Sequence, residues 1–325
     1  MTSWLVRRVA AALAIVLAVV SLSFFAIHLA PGTPFLPGDD RPMKPATVAA
    51  LRARFGLDRP LAVQYAQYLG ALARGDLGES FSQQRAVSRA LADALPNTAL
   101  LAGAALALDF LIGLALGIAQ AAHARSRLDT VLTATTLFLY SLPTFWLGLV
   151  LLLVFGQRLH WFPIGGVTDP VFHDAMSAGG RLLDRLRHLA LPALTLGLVG
   201  AAGTARFQRS AMLEALGQPF VRTARAKGLG ATRVLLGHAL RHALPPFITL
   251  FGLAVPFLLT GSVVVETVFA WPGMGKLAAD AIASRDYPVV LAAALIASLM
   301  VVAGNLLADL LYAAADPRVR EARAP

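Results

Sequence analysis

The sequence offers two candidates for a reactive or ligand-binding site, a pair of histidines and one Gly-Lys pair. His238 and His242 are four apart, so a helix would place them on one face, as some metal sites require. No acidic third ligand lies nearby, the HExxH pattern is absent, and the chain has no cysteine. The sequence therefore predicts neither a metal site at these histidines nor a catalytic thiol.

The Gly-Lys pair at 275–276 does not have the spacing of a phosphate-binding loop. Such a loop needs a glycine five residues before its second glycine and Ser or Thr after the lysine. Those positions hold Ala270 and Leu277, and no other Gly-Lys pair precedes Ser or Thr. The GxSxG pattern of a hydrolase is also absent. The chain is therefore expected to bind no nucleotide or other cofactor itself and not to be an enzyme.

The composition predicts that much of the chain faces lipid. Hydrophobic residues make up 57% of the 325 residues and charged residues 14%, where a soluble domain carries roughly 25% charged residues. The net charge is +10, from 28 Lys and Arg against 18 Asp and Glu. In a membrane protein, an excess of basic residues serves contacts with anionic lipid headgroups, sets the orientation in the membrane and attracts acidic partners. We therefore expect no nucleic-acid partner.

Six stretches are apolar enough to form helices across a bilayer, which needs about 20 residues. We expect an all-α polytopic membrane protein with one domain over residues 1–325. Its spans are predicted at 9–29, 98–122, 130–156, 189–209, 243–265 and 289–309. The first apolar run is longer than that of a signal peptide, so it is expected to be an uncleaved anchor. Once the long 31–96 loop is discounted, 14 basic residues lie on the side of both termini against 6 opposite, which predicts cytoplasmic termini.

Four residues in or beside these spans are candidates for a pore or gating role, namely Asp109, Pro143, Pro256 and Glu266. An acid inside a membrane is costly, so Asp109 is either functional or a hydrogen-bonded structural acid that faces the bundle interior. Glu266 lies at a span end that water is expected to reach, which favours an interfacial anchor. The prolines kink helices, which suits a moving bundle, although packing alone also explains them.

Residues 31–96 are too long for a simple connector and carry a helical pattern. Leu51 and Phe55 share a face ahead of Gly56, and Pro60 opens a second helix that Gly75 ends. We expect a small helical domain on the outer side. It serves either as a packing cap or as the docking site of an external partner.

The loop at 211–244 contains a short basic helix, predicted at 220–227. Pro219 suits the first helical position, and Gly228 suits the left-handed residue after a helix. The helix carries an apolar strip and a basic strip, formed by Phe220, Val221 and Ala224 and by Arg222 and Arg225. A helix of eight residues is marginal in water, so docking on the membrane domain or on another protein would stabilise it. An ordinary basic cytoplasmic loop is the alternative.

Sequence runs spread over nearly the whole chain strongly resemble the inner-membrane permease subunits of bacterial peptide-type ABC importers, the dipeptide, oligopeptide and nickel group. The runs are FGLD at 55–58, GDLG at 75–78, SLPTFWLG at 141–148, LPALTL at 191–196, RSAMLE at 209–214, VRTARAKG at 221–228, VETVF at 265–269 and RDYP at 285–288. No single run is decisive, but their order and spacing together are highly specific.

The resemblance implies a type I ABC importer permease fold in the bacterial inner membrane. Its partners would be a second homologous permease, two ATPase subunits that bind ATP, and an external binding protein. The helix at 220–227 would be the coupling helix, with its apolar strip in a groove of the ATPase and its arginines at the rim. The residues of this contact would be Phe220, Val221, Arg222, Ala224, Arg225, Lys227 and Gly228.

The sequence departs from the family's general cytoplasmic signature, which is Glu-Ala-Ala followed three residues later by glycine. Here RTA at 222–224 takes the place of that triplet before Gly228, a form associated with the peptide branch. Di- and oligopeptides are therefore the expected cargo, with a nickel chelate or a glutathione-like compound as the alternative within the family. An ion-coupled secondary transporter that uses Asp109 is the alternative from a different class.

Overall fold

The computed structural model describes residues 2–31, 45–245, 247, 250–251 and 262–315. These residues contain no strand, and Glu79 and Ala86 form an isolated antiparallel bridge. The helices are α1 (Thr2–Leu29), α2 (Pro45–Arg54), α3 (Leu61–Ala73), α4 (Val87–Ala122), α5 (Arg127–Ser141), α6 (Thr144–Leu151), α7 (Ala178–Gly217), α8 (Pro219–Ala226), α9 (Val263–Val268), α10 (Met274–Ala283) and α11 (Tyr287–Ala315). Shorter segments are the π-helices Leu152–Arg158 and Arg233–Ala239 and the 3-10 helix His173–Ala175. The all-α expectation is confirmed.

Several of the described helices are long and apolar enough to cross a membrane. Four qualify alone, namely Ala10–Leu29, Val87–Ala122, Ala178–Gly217 and Tyr287–Leu306. A fifth crossing is made if α5 and the helical segment Thr144–Arg158 count as one broken span, which bends by 103°. The predicted span at 243–265 lies largely outside the described residues. The chain is therefore polytopic, and the count of six spans stays a prediction.

Pro143 accounts for the break between α5 and α6. Leu142 has an extended conformation, with ψ at 134°, because a proline ring disfavours the helical conformation of the residue before it. The carbonyl of Pro143 then accepts the amide of Leu147 at 3.1 Å in the first turn of α6. The apolar run at 130–156 thus forms two helices rather than one.

The chain forms two compact units, Met1–Pro96 with Gly273–Val302 and Asn97–Pro272 with Ala303–Pro325. The apolar core of the first unit joins α4, α10 and α11 through Val87, Leu91, Ala94, Met274, Ala281, Val289, Ala292 and Ala293. The two helices expected within 31–96 are α2 and α3. Gly56 and Gly75 follow them with φ of +68° and +75°, as the stop signals predicted. The expectation of a single domain stays a prediction.

Within the first unit, Asp286 joins the segment before α4 to the start of α11. Its carboxylate is fully buried and accepts the backbone amides of Phe81 and Ser82 at 3.1 and 3.0 Å. The hydroxyls of Ser80 and Ser82 donate to the same carboxylate. A buried charge needs such donors to offset its loss of hydration, which explains why an acid stands in the RDYP run.

Within the second unit, α4 and α7 approach closely along small residues. A Cβ added to Gly113 would lie 2.7 Å from a side-chain carbon of Thr204, and one added to Gly117 would lie 2.7 Å from Gln208. Gly197 of α7 approaches α4 to the same degree. Glycines of this kind let membrane helices pack backbone to backbone.

Candidate functional site

The short helix α8 begins and ends where the sequence predicts. Pro219 is its first residue and Gly228 follows it with φ at +78°. The amide of Gly228 donates to the carbonyl of Arg225 at 3.0 Å, and the amide of Leu229 donates to that of Ala224 at 3.3 Å. This pair of bonds is a Schellman motif, which satisfies the last carbonyls of a helix and requires a left-handed residue.

The apolar strip of α8 is buried inside the chain. Val221 is fully buried and Ala224 is 5% exposed, and both pack against Val234. Phe220 is half-buried, with its ring centre 4.2 Å from that of His242. The expectation that this strip enters a partner's groove is therefore wrong for Val221 and Ala224. The periodicity of the strip showed that it would be buried but could not show against which surface.

The exposed face of α8 is basic. Arg222, Arg225 and Lys227 are all exposed. Within the described part of the chain, no carboxylate forms an ion pair with any of the three. The exposed face of α8 is thus a cluster of positive charge, which is complementary to an acidic surface.

An ion pair that the sequence analysis missed holds the end of α7 that leads into α8. Two guanidinium nitrogens of Arg209 donate to Asp129 of α5, at 3.0 and 2.8 Å. The backbone amide of Arg125 donates to the same carboxylate at 3.0 Å. The spacing of Ser126 and Asp129 is a capping signal that could have indicated the acid. Its partner lies 80 residues away and carries no local signal.

Asp109 lies against α7 within the second unit. Its carboxylate accepts a hydrogen bond from Thr204 at 2.6 Å, and it is half-buried. An added Cβ at Gly200 would lie 2.5 Å from the Asp109 carboxylate, so the absence of a side chain there makes room for the acid. These contacts fit a hydrogen-bonded acid inside the bundle. A pore role for Asp109 stays a prediction.

The position of Glu266 at a span end predicted contact with water, but the structure buries this residue. Its side chain is fully buried, and the Thr98 hydroxyl donates to it at 3.0 Å. The Glu266 carbonyl also accepts the amide of Trp271, a fully buried residue whose indole N–H donates to the Asn97 carbonyl. The interfacial-anchor expectation is therefore wrong, because these contacts enclose the acid. Of the other pore candidates, Pro143 lies at the break after α5, and Pro256 lies outside the described residues.

A cluster of two aspartates and a histidine, which the sequence analysis missed, joins the segment before α7 to the first turns of that helix. The Asp184 carboxylate lies 2.6 Å from Nδ1 of His173 and accepts the Asp169 amide at 3.0 Å. The amides of Phe172 and Val171 donate to Asp169 and hold the pKa of that carboxyl below its usual range. These contacts tie the segment before α7 to that helix.

Replacing Asp109 should distinguish its hydrogen bond from its charge. Asp109→Asn keeps an acceptor for Thr204 and should leave stability nearly unchanged. Asp109→Leu leaves the buried Thr204 hydroxyl unpaired and should destabilise the purified chain by about 1–3 kcal/mol. Thermal unfolding in detergent measures the difference.

The control for this comparison removes the donor instead. In a Thr204→Val background the two Asp109 variants should differ much less in midpoint, because no hydroxyl remains to be satisfied. Equal stability of Asp109→Asn and Asp109→Leu in the native background would show that the Thr204 bond contributes nothing.

The described helices define the chain as an all-helical, multi-pass membrane protein. Apolar helices of spanning length, one of them broken, carry a short helix with an exposed basic face. A family model described as "binding-protein-dependent transport system inner membrane component" matches residues 113–321. A second model, for the N-terminal part of such components, matches residues 1–102. The chain belongs to this family and is a multi-pass membrane permease subunit, not an enzyme.

Individual relatives match over nearly their full length. The oligopeptide transport system permease protein AppB of Bacillus subtilis is 40% identical over 98% of this chain and 99% of its own. The di/tripeptide transport system permease protein DppB of Pseudomonas aeruginosa is 40% identical over 99% and 100% of the two chains. The dipeptide transport system permease protein DppB of Escherichia coli is 35% identical over 98% and 99%. The resemblance to permease subunits is confirmed, and the ion-coupled transporter alternative is not supported.

Proposed function

We propose that the chain forms half of the translocation pathway of an ATP-driven importer for di- and oligopeptides. An external binding protein delivers the peptide, and two separate ATPase subunits drive the transport. A second, homologous permease completes the pathway. Relatives named for oligopeptide, di/tripeptide and dipeptide transport support peptides as the cargo over nickel chelates or glutathione-like compounds.

The observation that carries the coupling to an ATPase is the orientation of α8. Its apolar residues are committed to the chain's own core, while Arg222, Arg225 and Lys227 point outward. The sequence also lacks a phosphate-binding loop, so ATP must be bound by a partner. We infer that α8 is the coupling helix and that its basic face meets acidic groups of the ATPase. Because α8 is packed on Val234 and its neighbours, motion of the ATPase moves this part of the permease with it.

Reversing the charge of the α8 face tests the proposed function directly. Arg222→Glu with Arg225→Glu should lower ATP-dependent peptide uptake about tenfold or more, since a like-charge contact costs several kcal/mol. Arg222→Gln alone should lower it by about fivefold at most, because a rim ion pair contributes about 0–1 kcal/mol. The measurement is uptake of a labelled dipeptide into vesicles that hold the assembled complex.

Arg187→Glu is the matched control, because Arg187 is an exposed arginine at the opposite end of α7. It should keep normal uptake. Normal uptake by the double reversal would show that α8 does not contact the ATPase through this face. If the native complex shows no ATP-dependent peptide uptake, both the proposed peptide cargo and the proposed dependence on ATP are wrong.

We further propose six spans at the positions predicted above, with both termini cytoplasmic, 31–96 outside and 211–244 inside. The native chain has no cysteine, so single cysteines can report sidedness without background. Gln83→Cys and Gln218→Cys place thiols at two exposed positions. An impermeant thiol reagent added to intact cells should label the first and spare the second until the membrane is opened. Labelling of both, or of the second alone, would contradict this topology.

A further inference from the structure

A cavity of about 490 Å³ lies in the second unit, between α4, α5 and α7. Its polar lining comes from Gln120, Thr133, Tyr140, Arg206, Arg209 and Ser210. These residues belong to the last turn of α4, to α5 and to the part of α7 that leads into α8. The cavity thus lies where apolar spans give way to basic residues, a depth at which lipid headgroups meet a membrane protein.

Arg206 gives the cavity an uncompensated positive charge. Arg209 is already paired with Asp129. Arg206 is exposed, and within the described part of the chain it forms no ion pair. Its guanidinium lies 5.4 Å from the centre of the Tyr140 ring. Arg206 packs its long side chain on the aromatic ring, and its charge stays accessible to an anion.

Gln120 is the most deeply buried residue of the cavity lining. It is fully buried, and its Oε1 has no hydrogen-bond partner within the described part of the chain. Its amide nitrogen lies 3.3 Å from the Thr136 hydroxyl. This oxygen exposes less than 1 Å² of surface, so a ligand in the cavity does not contact it. Binding in the cavity must therefore come from its exposed residues, of which Arg206 carries the unpaired charge.

We propose that this cavity binds the phosphate headgroup of an anionic phospholipid, with Arg206 against the phosphate. The Ser210 hydroxyl, which also lines the cavity, donates to the same phosphate. Basic pockets between membrane helices bind anionic headgroups by this chemistry. The inference needs only that the chain spans a membrane, so it is independent of the peptide cargo.

Native mass spectrometry of the purified full chain with defined lipids tests the proposal. The native chain should retain phosphatidylglycerol and release phosphatidylcholine. Arg206→Gln should weaken phosphatidylglycerol binding about fivefold, which corresponds to about 1 kcal/mol for one basic residue. Arg206→Lys should restore most of it, and a matched thermal midpoint shows that each variant is folded.

Arg233→Gln is the control, because Arg233 is exposed and basic but does not line the cavity. Equal phosphatidylglycerol retention by Arg206→Gln and Arg233→Gln would overturn the site.

Inorganic phosphate tests whether the cavity binds the phosphate of a lipid headgroup or a free phosphate ion. With the chain in neutral detergent, millimolar phosphate should neither bind measurably nor displace phosphatidylglycerol. Binding of free phosphate that Arg206→Gln abolishes would assign the cavity to a soluble anion instead and overturn the lipid assignment.

Discussion

Gly228→Val should uncouple ATP hydrolysis from peptide uptake while the permease still inserts into the membrane. Gly228 has φ at +78°, where a side chain with a Cβ costs about 1–2 kcal/mol. No atom lies within 4 Å of the added Cβ, so the cost is conformational rather than steric. The turn can relieve it only by giving up the Schellman bonds to Arg225 and Ala224, which changes the direction in which α8 leaves its core. Parallel measurement of ATPase rate and uptake in vesicles reports the uncoupling.

The control for this variant is Gly230→Val, two residues along the same turn. Gly230 does not have a positive φ, and an added Cβ there also meets no atom within 4 Å. It should keep coupled transport. If Gly228→Val transports as well as Gly230→Val does, then the shape of this turn does not matter to coupling.

The ends of α8 were predictable because their signals are local. Pro219 and Gly228 act through their own backbone conformations, and no distant residue needs to be known. The partner of the apolar strip was not predictable in that way. Periodicity shows that Val221 and Ala224 are buried, but Val234 lies beyond the turn and its contact with them depends on the tertiary fold.

The contacts that hold the second unit together could be predicted only in part. The cost of an acid in a membrane indicated an interior position for Asp109, but not that Thr204 would be its donor. The ion pair between Asp129 and Arg209 joins residues that are far apart in sequence. Glu266 was misjudged because its position at a span end says nothing about the neighbours that bury it.

The break at Pro143 could also be predicted only in part. A proline inside an apolar run predicts a kink, because the ring removes a helical hydrogen bond. The run itself specifies neither the angle of 103° nor the packing of α6 against α7 that accompanies it.

Gly117→Ala should destabilise the isolated permease by about 1–3 kcal/mol, the usual cost of overpacking a tight contact. The new Cβ would lie 2.7 Å from the Cβ of Gln208 and 2.8 Å from the backbone oxygen of Ala205. The backbone oxygen cannot turn away, so α4 and α7 must separate. The loss should appear even though alanine favours a helix over glycine by about 1 kcal/mol. Unfolding in mixed micelles with increasing dodecyl sulfate measures the free energy.

Gly103→Ala provides the matched control on the same helix. An added Cβ at Gly103 meets no atom within 4 Å, so only the helix propensity changes. This variant should be as stable as the native chain or more stable, by up to about 1 kcal/mol. The sign of the difference between the two variants is therefore the test. If Gly117→Ala gains stability as Gly103→Ala does, the close approach of α4 to α7 is not a constraint on the fold, and the glycines of this seam need another explanation.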